Sequence, residues 1–190
     1  MGTDLDPYLR LLSTFRDDGR AIDIAHNVFL MGALLSRKPD DILELGIGTG
    51  FVTQTLLAGI RFNGRGRITC VDNWFDWGGK EPAGTDKLRQ TGAKVVVESE
   101  ERFLRTCAAD QYDFLVSDAD HMHGGDWVHE HLRVTRNDAF LFFHDTNSGE
   151  WPSLRCIPSA VSHLPHYHFV QSSRPDERCT RGWLFVINKK

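Results

Sequence analysis

Short apolar runs alternate with amphipathic stretches along the chain, and this alternation predicts an α/β domain. The runs are rich in Val, Ile and Phe, and Gly, Asp or Asn lies at their ends, which is typical of buried strands. Seven strands are predicted, at residues 42–45, 67–71, 94–97, 112–117, 139–143, 166–171 and 182–187.

Helical periodicity fills most of the intervals between these strands. Apolar residues also recur at helical spacing in residues 5–36, before Pro39 and Asp40 end the pattern. A chain of 190 residues is the size of one domain, so we expect a single domain, with residues 1–39 as an N-terminal helical cover and 40–190 as the core. The five predicted inter-strand helices are 51–58, 85–90, 101–108, 126–134 and a proline-interrupted 151–164.

The last two predicted strands are joined by a polar segment that is too short for a crossover helix, so they should form an antiparallel hairpin. The predicted fold is therefore a Rossmann-like seven-stranded sheet, mostly parallel with one antiparallel edge strand, with helices on both faces. In such sheets, ligands bind outside the carboxyl ends of the strands, where the strand order reverses.

Composition and charge exclude several classes of protein. The chain is 41% hydrophobic and 25% charged, as in ordinary globular proteins, and no apolar run approaches the 18 residues of a membrane span. It has 22 basic and 26 acidic side chains and no Lys/Arg block beyond Lys189 and Lys190, which argues against nucleic-acid binding. The acidic N-terminal segment does not resemble a targeting signal, so we expect a cytoplasmic protein.

The four cysteines are scattered, with no CxxC spacing, and we expect them to be reduced thiols rather than disulfide or zinc ligands. They are Cys70, Cys107, Cys156 and Cys179.

The first predicted strand runs directly into three alternating glycines, Gly46, Gly48 and Gly50, and then into a helix. Glycine allows a sharp turn and close approach to a ligand, and the helix N-terminus offers free N–H groups. A dinucleotide site would need GxGxxG. Here the third glycine comes one residue early and Phe51 occupies its expected position, which disfavours NAD. The simplest alternative is that the glycines only make a tight turn.

The segment from Glu44 to Gly50 consists of an acidic residue, one further residue and GxGxG, directly after strand one. It resembles the first motif of class I S-adenosylmethionine-dependent methyltransferases. The resemblance implies that S-adenosylmethionine is the cofactor and that the carboxylate at the end of strand two binds its ribose hydroxyls. It also implies that Glu98 and Ser99, at the end of strand three, contact the adenine. The alternative is that one of these two residues caps the next helix. The implied cofactor residues are Glu44, Gly46, Gly48, Gly50, Asp72, Asn73, Glu98, Ser99 and Asp118.

Aspartates and histidines follow strands four and five: Asp118, Asp120 and His121 after the first, and His144 and Asp145 after the second. Clustered carboxylates repel one another unless a cation or hydrogen bonds compensate, so the cluster indicates a metal or acid–base centre. Oxygen-rich ligation favours Mg²⁺, Mn²⁺ or Ca²⁺ over zinc. The alternative is that Asp120 caps the following helix and that the remaining histidines are solvated. This alternative is the one we favour for His123, His129 and His131.

The cluster is similar to that of the small-molecule and sugar O-methyltransferases of antibiotic pathways, which are methyltransferase family 24-like. That resemblance implies Asp118 and Asp145 as ligands of a divalent cation such as Mg²⁺, with His144 or Asn147 as the third ligand. It implies His121 as the general base that deprotonates a hydroxyl of a small-molecule acceptor.

Residues 73–82 are aromatic and glycine-rich, which predicts a lid with Trp74 or Trp77 stacking on adenine or on the acceptor; the alternative is that these rings only cover the sheet edge. Trp151 should border the same end of the sheet. Two other functions stay open: a metal-dependent hydrolase on the same fold, and a non-catalytic cofactor-binding module. Acceptor specificity should come from the 73–82 loop, the N-terminal helices, the edge hairpin or another subunit of a homo-oligomer, and the sequence does not choose among them.

Overall fold

The computed structural model consists of helices packed on both faces of one sheet. It describes residues 8–10, 24–75, 78–82, 84–147, 151–171 and 181–190. The strands are β1 (Asp41–Leu45), β2 (Arg67–Asp72), β3 (Lys94–Val97), β4 (Tyr112–Ser117), β5 (Thr135–His144), β6 (His166–Gln171) and β7 (Arg181–Ile187). The helices are α1 (Ile24–Arg37), α2 (Phe51–Asn63), α3 (Thr85–Gln90), α4 (Glu100–Thr106), α5 (Val128–Val134) and α6 (Ile157–Ala160), with 3₁₀ turns at Gly124–Trp127 and Leu154–Cys156.

The predicted strands are all present, with small differences at their ends. Strand β5 begins at Thr135, four residues earlier than expected, because the chain passes straight from α5 into the strand. Helix α2 runs on to Asn63 and ends where Gly64 takes a left-handed conformation. The expected helix at 151–164 is instead a 3₁₀ turn followed by the four-residue α6.

The sheet has the order β3-β2-β1-β4-β5-β7-β6. Strands β1 to β5 are parallel, β7 pairs antiparallel with β5, and β6 pairs antiparallel with β7. The predicted fold class is confirmed, and the reversed strand lies second from the edge, with β6 outermost. The order changes direction between β1 and β4, which therefore flank the expected ligand crevice.

Each face of the sheet carries its own hydrophobic core, because neighbouring residues on a strand point to opposite faces. Ile42 belongs to the cluster under α1 and α2, whereas Leu43 belongs to the cluster that includes residues of α4, α5 and α6. The two helices of the first face pack closely: a Cβ on Gly59 of α2 would lie 1.9 Å from Leu34 of α1. The carboxyl ends of β1, β2, β4 and β5 are thus held at one edge by two packed layers.

Three of the cysteines are free thiols, as expected, and Cys179 lies outside the described residues. Across the part of the chain that the structure describes, no helix has the length and apolar character needed to cross a membrane.

Candidate active site at the carboxyl ends of the strands

The glycine loop that follows β1 lies against the end of β4. Gly46, Gly48 and Gly50 all have positive φ angles, of 89°, 48° and 81°. A Cβ at Gly46 would lie 2.2 Å from the carbonyl oxygen of Asp118, a contact that real side chains do not make. Only glycine fits at this position, and the fit places the loop directly beside the aspartate-rich end of β4.

Glu44 is fully buried beneath this loop. The Thr53 hydroxyl of α2 lies 2.9 Å and 2.8 Å from its two carboxyl oxygens and donates to them. Burial raises the pKa of Glu44 to about 8, and the negative charges of Asp72 and Asp118 add to this effect. The hydrogen bonds from Cys70 and Thr53 lower the pKa but do not outweigh burial. Glu44 therefore ties β1 to α2 as a neutral acid, and direct contact with a cofactor stays a prediction.

Asp72, at the end of β2, braces the glycine loop. The backbone N–H groups of Ile47 and Gly48 donate to its Oδ2 over 2.8 Å and 2.9 Å, and the N–H of Trp74 donates to Oδ1 over 2.6 Å. A carboxylate has about four acceptor sites, and donors among the described residues use three of them, so one is left for a ligand hydroxyl. The structure places Asp72 beside the loop as expected, and its ribose contact stays a prediction.

Trp74 is a core residue rather than part of an open lid. Its side chain is 1% exposed, in the same cluster as Val52 and Leu88, and its indole N–H donates to the Gly48 carbonyl over 3.3 Å. The left-handed turn at Trp74, with φ of 49°, folds the ring back under the loop, whereas Phe75 is 80% exposed. The expectation that Trp74 stacks on a ligand is therefore wrong for this conformation, and Trp77 lies outside the described residues.

The other expected adenine-side residues have local structural partners. The Asn73 side-chain oxygen accepts the N–H of Phe75 over 3.0 Å. Ser99 is the N-cap of α4, with Oγ accepting the N–H of Arg102 over 3.4 Å, and Glu98 pairs with the same arginine at 2.8 Å. The capping alternative holds for Ser99, and adenine contact by these residues stays a prediction.

The aspartates and histidines after β4 and β5 converge as predicted. Nε2 of His121 lies 3.6 Å from Asp118 Oδ1 and 3.4 Å from Asp145 Oδ2. Nδ1 of His144 lies 3.0 Å from Asp118 Oδ1 and 3.5 Å from Asp145 Oδ2. Two carboxylates and two imidazoles therefore form one compact network at the edge where the glycine loop also ends.

Each imidazole in this network is held as a cation and each carboxyl as an anion. Burial favours the neutral imidazoles, but Asp118 and Asp145 outweigh it and raise the pKa of His121 to about 11 and that of His144 to about 10. Burial likewise opposes ionisation of the carboxyls, yet the two histidines hold the pKa of Asp118 at about 2 and that of Asp145 well below its usual range. A base at His121 would need some of this carboxylate charge to be compensated.

The network also has the donor set of a metal site. Ligand atoms of Asp118, His121 and Asp145 lie within 4.8 Å of one another. Asp145 Oδ1 and His144 Nε2 are buried, and neither has a hydrogen-bond partner among the described residues. The third residue in this group of ligand atoms is His121 rather than the expected His144 or Asn147. Metal binding by any of these residues stays a prediction. His144 lies deeper, with its Nδ1 on Asp118, and a metal role for Asn147 stays a prediction.

Trp151 and the helix α1 border the network on other sides. The Trp151 ring lies 5.1 Å from the His121 ring, so it is next to the site as expected. His26 of α1 is buried and stacks on Trp183 at 5.1 Å, with its edge toward His144 at 5.8 Å. Sequence reasoning missed His26 and Trp183, because their helical and strand patterns look like ordinary core positions.

Two expectations for the turn after β4 and for α5 are correct, and one is wrong. Asp120 caps it, with Oδ1 accepting the N–H groups of Met122 and His123 over 3.0 Å and 2.9 Å. His123 and His129 are largely exposed, as expected. His131 is not solvated: it is completely buried, because α5 turns this face against α4.

The sequence matches the family model described as a methyltransferase domain, numbered family 24, over residues 43–146. That range includes the glycine loop, Asp72 and the whole cluster from Asp118 to Asp145. No curated protein sequence matches the chain significantly.

Solved structures, two of them of O-methyltransferases, share the fold at low sequence identity. An O-methyltransferase from Bacillus cereus in complex with SAH has a TM-score of 0.73 at 13% identity, and the match covers 100% of this chain and 92% of that one. The O-methyltransferase TomG from Streptomyces achromogenes, involved in tomaymycin synthesis and solved with SAM, has a TM-score of 0.72 at 12% identity, covering 98% and 89%. Cofactor-bound Rv0187 from MTB gives 0.71 at 16% identity, covering 98% and 89%.

Proposed function

Because the chain belongs to methyltransferase family 24, we propose that it is an S-adenosylmethionine-dependent O-methyltransferase that acts on a hydroxyl of a small molecule of the sugar or natural-product type. The observation that carries the proposal is the contact between Gly46 and Asp118, which joins the glycine loop to the aspartate–histidine cluster at one edge of the sheet. A ligand on the loop would therefore lie next to the acid–base groups.

The glycine loop and Asp72 fit S-adenosylmethionine. The loop has no side chain at its three turns, and Asp72 keeps an acceptor site beside it. Helix α2 begins directly after Gly50, so its N-terminal N–H groups face the same edge. When bound, the cofactor supplies a methyl group on a sulfonium, which is open to in-line attack by an oxygen nucleophile.

His121 is suited to hold the proton of the attacking hydroxyl. It is more exposed than His144, at 22% against 2% of the side chain, and Asp118 and Asp145 orient its ring. Removal of the hydroxyl proton at Nε2 requires a neutral imidazole, so the negative charge of the two carboxylates must be engaged elsewhere during turnover. Trp151 borders His121 and offers an apolar surface for the acceptor.

Asp118 and Asp145 are the residues that would hold a divalent cation. Oδ1 of Asp145, which has no hydrogen-bond partner among the described residues, fits that role. A bound cation would lower the pKa of a coordinated hydroxyl. Two carboxylates and oxygen ligands from the acceptor suit Mg²⁺, whereas ligation by His121 would favour Mn²⁺ or another transition ion and would remove His121 as a base. Activity with Mg²⁺ and with Mn²⁺ after treatment with EDTA distinguishes these two arrangements.

The test is turnover of S-adenosylmethionine with a panel of sugar and phenolic hydroxyl acceptors, comparing the wild type with His121→Ala. Loss of a general base should lower turnover by about 10²–10⁴-fold while the Kd for the cofactor stays nearly unchanged. His123→Ala is the matched control, since His123 is exposed in the same turn. A large loss of cofactor binding in His121→Ala would contradict the catalytic role.

The same experiment separates the alternatives. Cofactor binding without turnover of any acceptor supports a non-catalytic module. Absence of cofactor binding, together with metal-dependent hydrolysis of ester substrates, supports the hydrolase. A cytoplasmic location and a homo-oligomeric state stay predictions.

A further inference from the structure

A buried acid–base pair lies behind the turn that carries His121. Glu100 is the first residue of α4 and His131 lies on α5, and both side chains are almost completely inaccessible. Nε2 of His131 lies 2.7 Å from Glu100 Oε1. The pair belongs to neither the glycine motif nor the aspartate–histidine cluster, and its two residues lie 31 positions apart in the sequence.

The Glu100–His131 pair carries no net charge. Nδ1 of His131 lies 2.8 Å from the Trp127 carbonyl, which can only accept, so this nitrogen carries a hydrogen. One further proton lies between Nε2 and Glu100, whether on the imidazole or on the carboxyl, and the pair is neutral overall in either case. A neutral, hydrogen-bonded pair avoids the cost of an isolated buried charge.

Glu100 connects this pair to the end of β4. Its Oε1 accepts from the Ser117 hydroxyl over 3.2 Å, and its Oε2 accepts the backbone N–H of Asp120 over 3.0 Å. Asp120 in turn stabilises the turn that follows. Its carbonyl oxygen accepts the N–H of Gly124 over 2.7 Å, and its Oδ1 accepts the N–H groups of Met122 and His123. His121 is the residue between this anchor and the cap.

We infer that Glu100 and His131 are positioning residues, which fix the backbone at Asp120 and so hold the His121 ring against Asp118 and Asp145. The inference rests on the proposed function in taking His121 as the group that faces the acceptor hydroxyl. The first residue of α4 and the buried face of α5 then act together as a rigid support for the reactive edge of the sheet.

The test compares Glu100→Ala with Glu100→Gln and with the control Glu101→Ala, whose side chain is on the same helix but exposed and paired with Arg105. A glutamine can place its amide oxygen on the Asp120 N–H and its NH₂ on His131 Nε2, so it should restore what alanine removes. The first readout is the NMR signal of the His121 ring, assigned by its loss in His121→Ala.

We expect Glu100→Ala to shift the His121 ring signal and to lower kcat by about ten- to a hundred-fold, with the Kd for S-adenosylmethionine within about three-fold of the wild type. Glu100→Gln and Glu101→Ala should match the wild type in the His121 ring signal and in kcat. An unchanged ring signal in a folded Glu100→Ala protein would overturn the inference.

A measurement on the wild type keeps the inference testable if Glu100→Ala does not fold. The Asp120 amide should exchange with solvent deuterium at least about a hundred-fold more slowly than an unbonded amide. Exchange at the unbonded rate would contradict the anchor. If the wild type fails to bind S-adenosylmethionine, the proposed function fails, while the ring signal and the amide exchange still decide the positioning role.

Discussion

Replacement of Glu44 by glutamine should change how the stability of the protein depends on pH. Glu44 lies buried under the glycine loop with the Thr53 hydroxyl on its carboxyl, and glutamine has nearly the same shape and can keep that hydrogen bond. The substitution therefore removes the titration of the side chain and leaves the packing in place.

The magnitude follows from the pKa. Burial raises the pKa of Glu44 from 4.5 to about 8 in the folded protein. Between these two pH values the unfolded chain has lost the proton that the folded chain retains, so the free energy of unfolding falls as pH rises. The fall is about 1.4 kcal/mol per pH unit, with an upper limit of about 5 kcal/mol across the whole window, and it ends above pH 8.

The assay is urea denaturation of the wild type and of Glu44→Gln at pH 5.5 and pH 7.5. The other titrating groups are the same in both proteins, so the difference between the two curves isolates this carboxyl. We expect the wild type to lose roughly 2.5 kcal/mol more than the variant over this interval. Parallel pH profiles, or a wild type that gains stability relative to the variant, would refute a buried neutral Glu44.

Three further substitutions test the site and its support. Gly46→Ala should abolish cofactor binding or folding, because its Cβ would meet the Asp118 carbonyl, whereas Gly64→Ala, with a similar φ and no neighbour within 4 Å, should cost only about 1 kcal/mol on thermal unfolding. Asp145→Asn, which tolerates the left-handed backbone at this position, should weaken Mn²⁺ binding at least about ten-fold in an electron paramagnetic resonance titration. Trp74→Ala should destabilise the protein by about 3–5 kcal/mol in urea; a loss under 1 kcal/mol would show that the ring is not core.

Features encoded by local pattern were predictable from the sequence. The strand ends that carry Asp72, Asp118 and Asp145 follow from apolar runs with a polar end, and the parallel arrangement then brings the last two together. The sharp turn at the three glycines also follows from the local pattern, whereas the contact of Gly46 with the Asp118 carbonyl depends on a distant residue.

Features that depend on distant partners were not predictable. The sequence neighbours of Trp74 are those of a polar loop, and only the left-handed turn that returns its ring to Gly48 makes it a core residue. From the sequence alone His131 looks like a solvated histidine of a short helix, and its burial depends on Glu100 of another helix lying opposite it. The choice of His121 over His144 as the more exposed imidazole depends in the same way on how the two strand ends face each other.

The proposed function requires that this edge of the sheet binds S-adenosylmethionine through the glycine loop and Asp72. Calorimetric titration with S-adenosylmethionine and with S-adenosylhomocysteine, each with Mg²⁺ and with EDTA, tests it most directly. We predict micromolar binding of both by the wild type and by Asp86→Ala, an exposed control, and loss of binding in a folded Asp72→Ala protein. Absence of binding by the wild type under every condition, or unchanged binding by Asp72→Ala, would contradict the account.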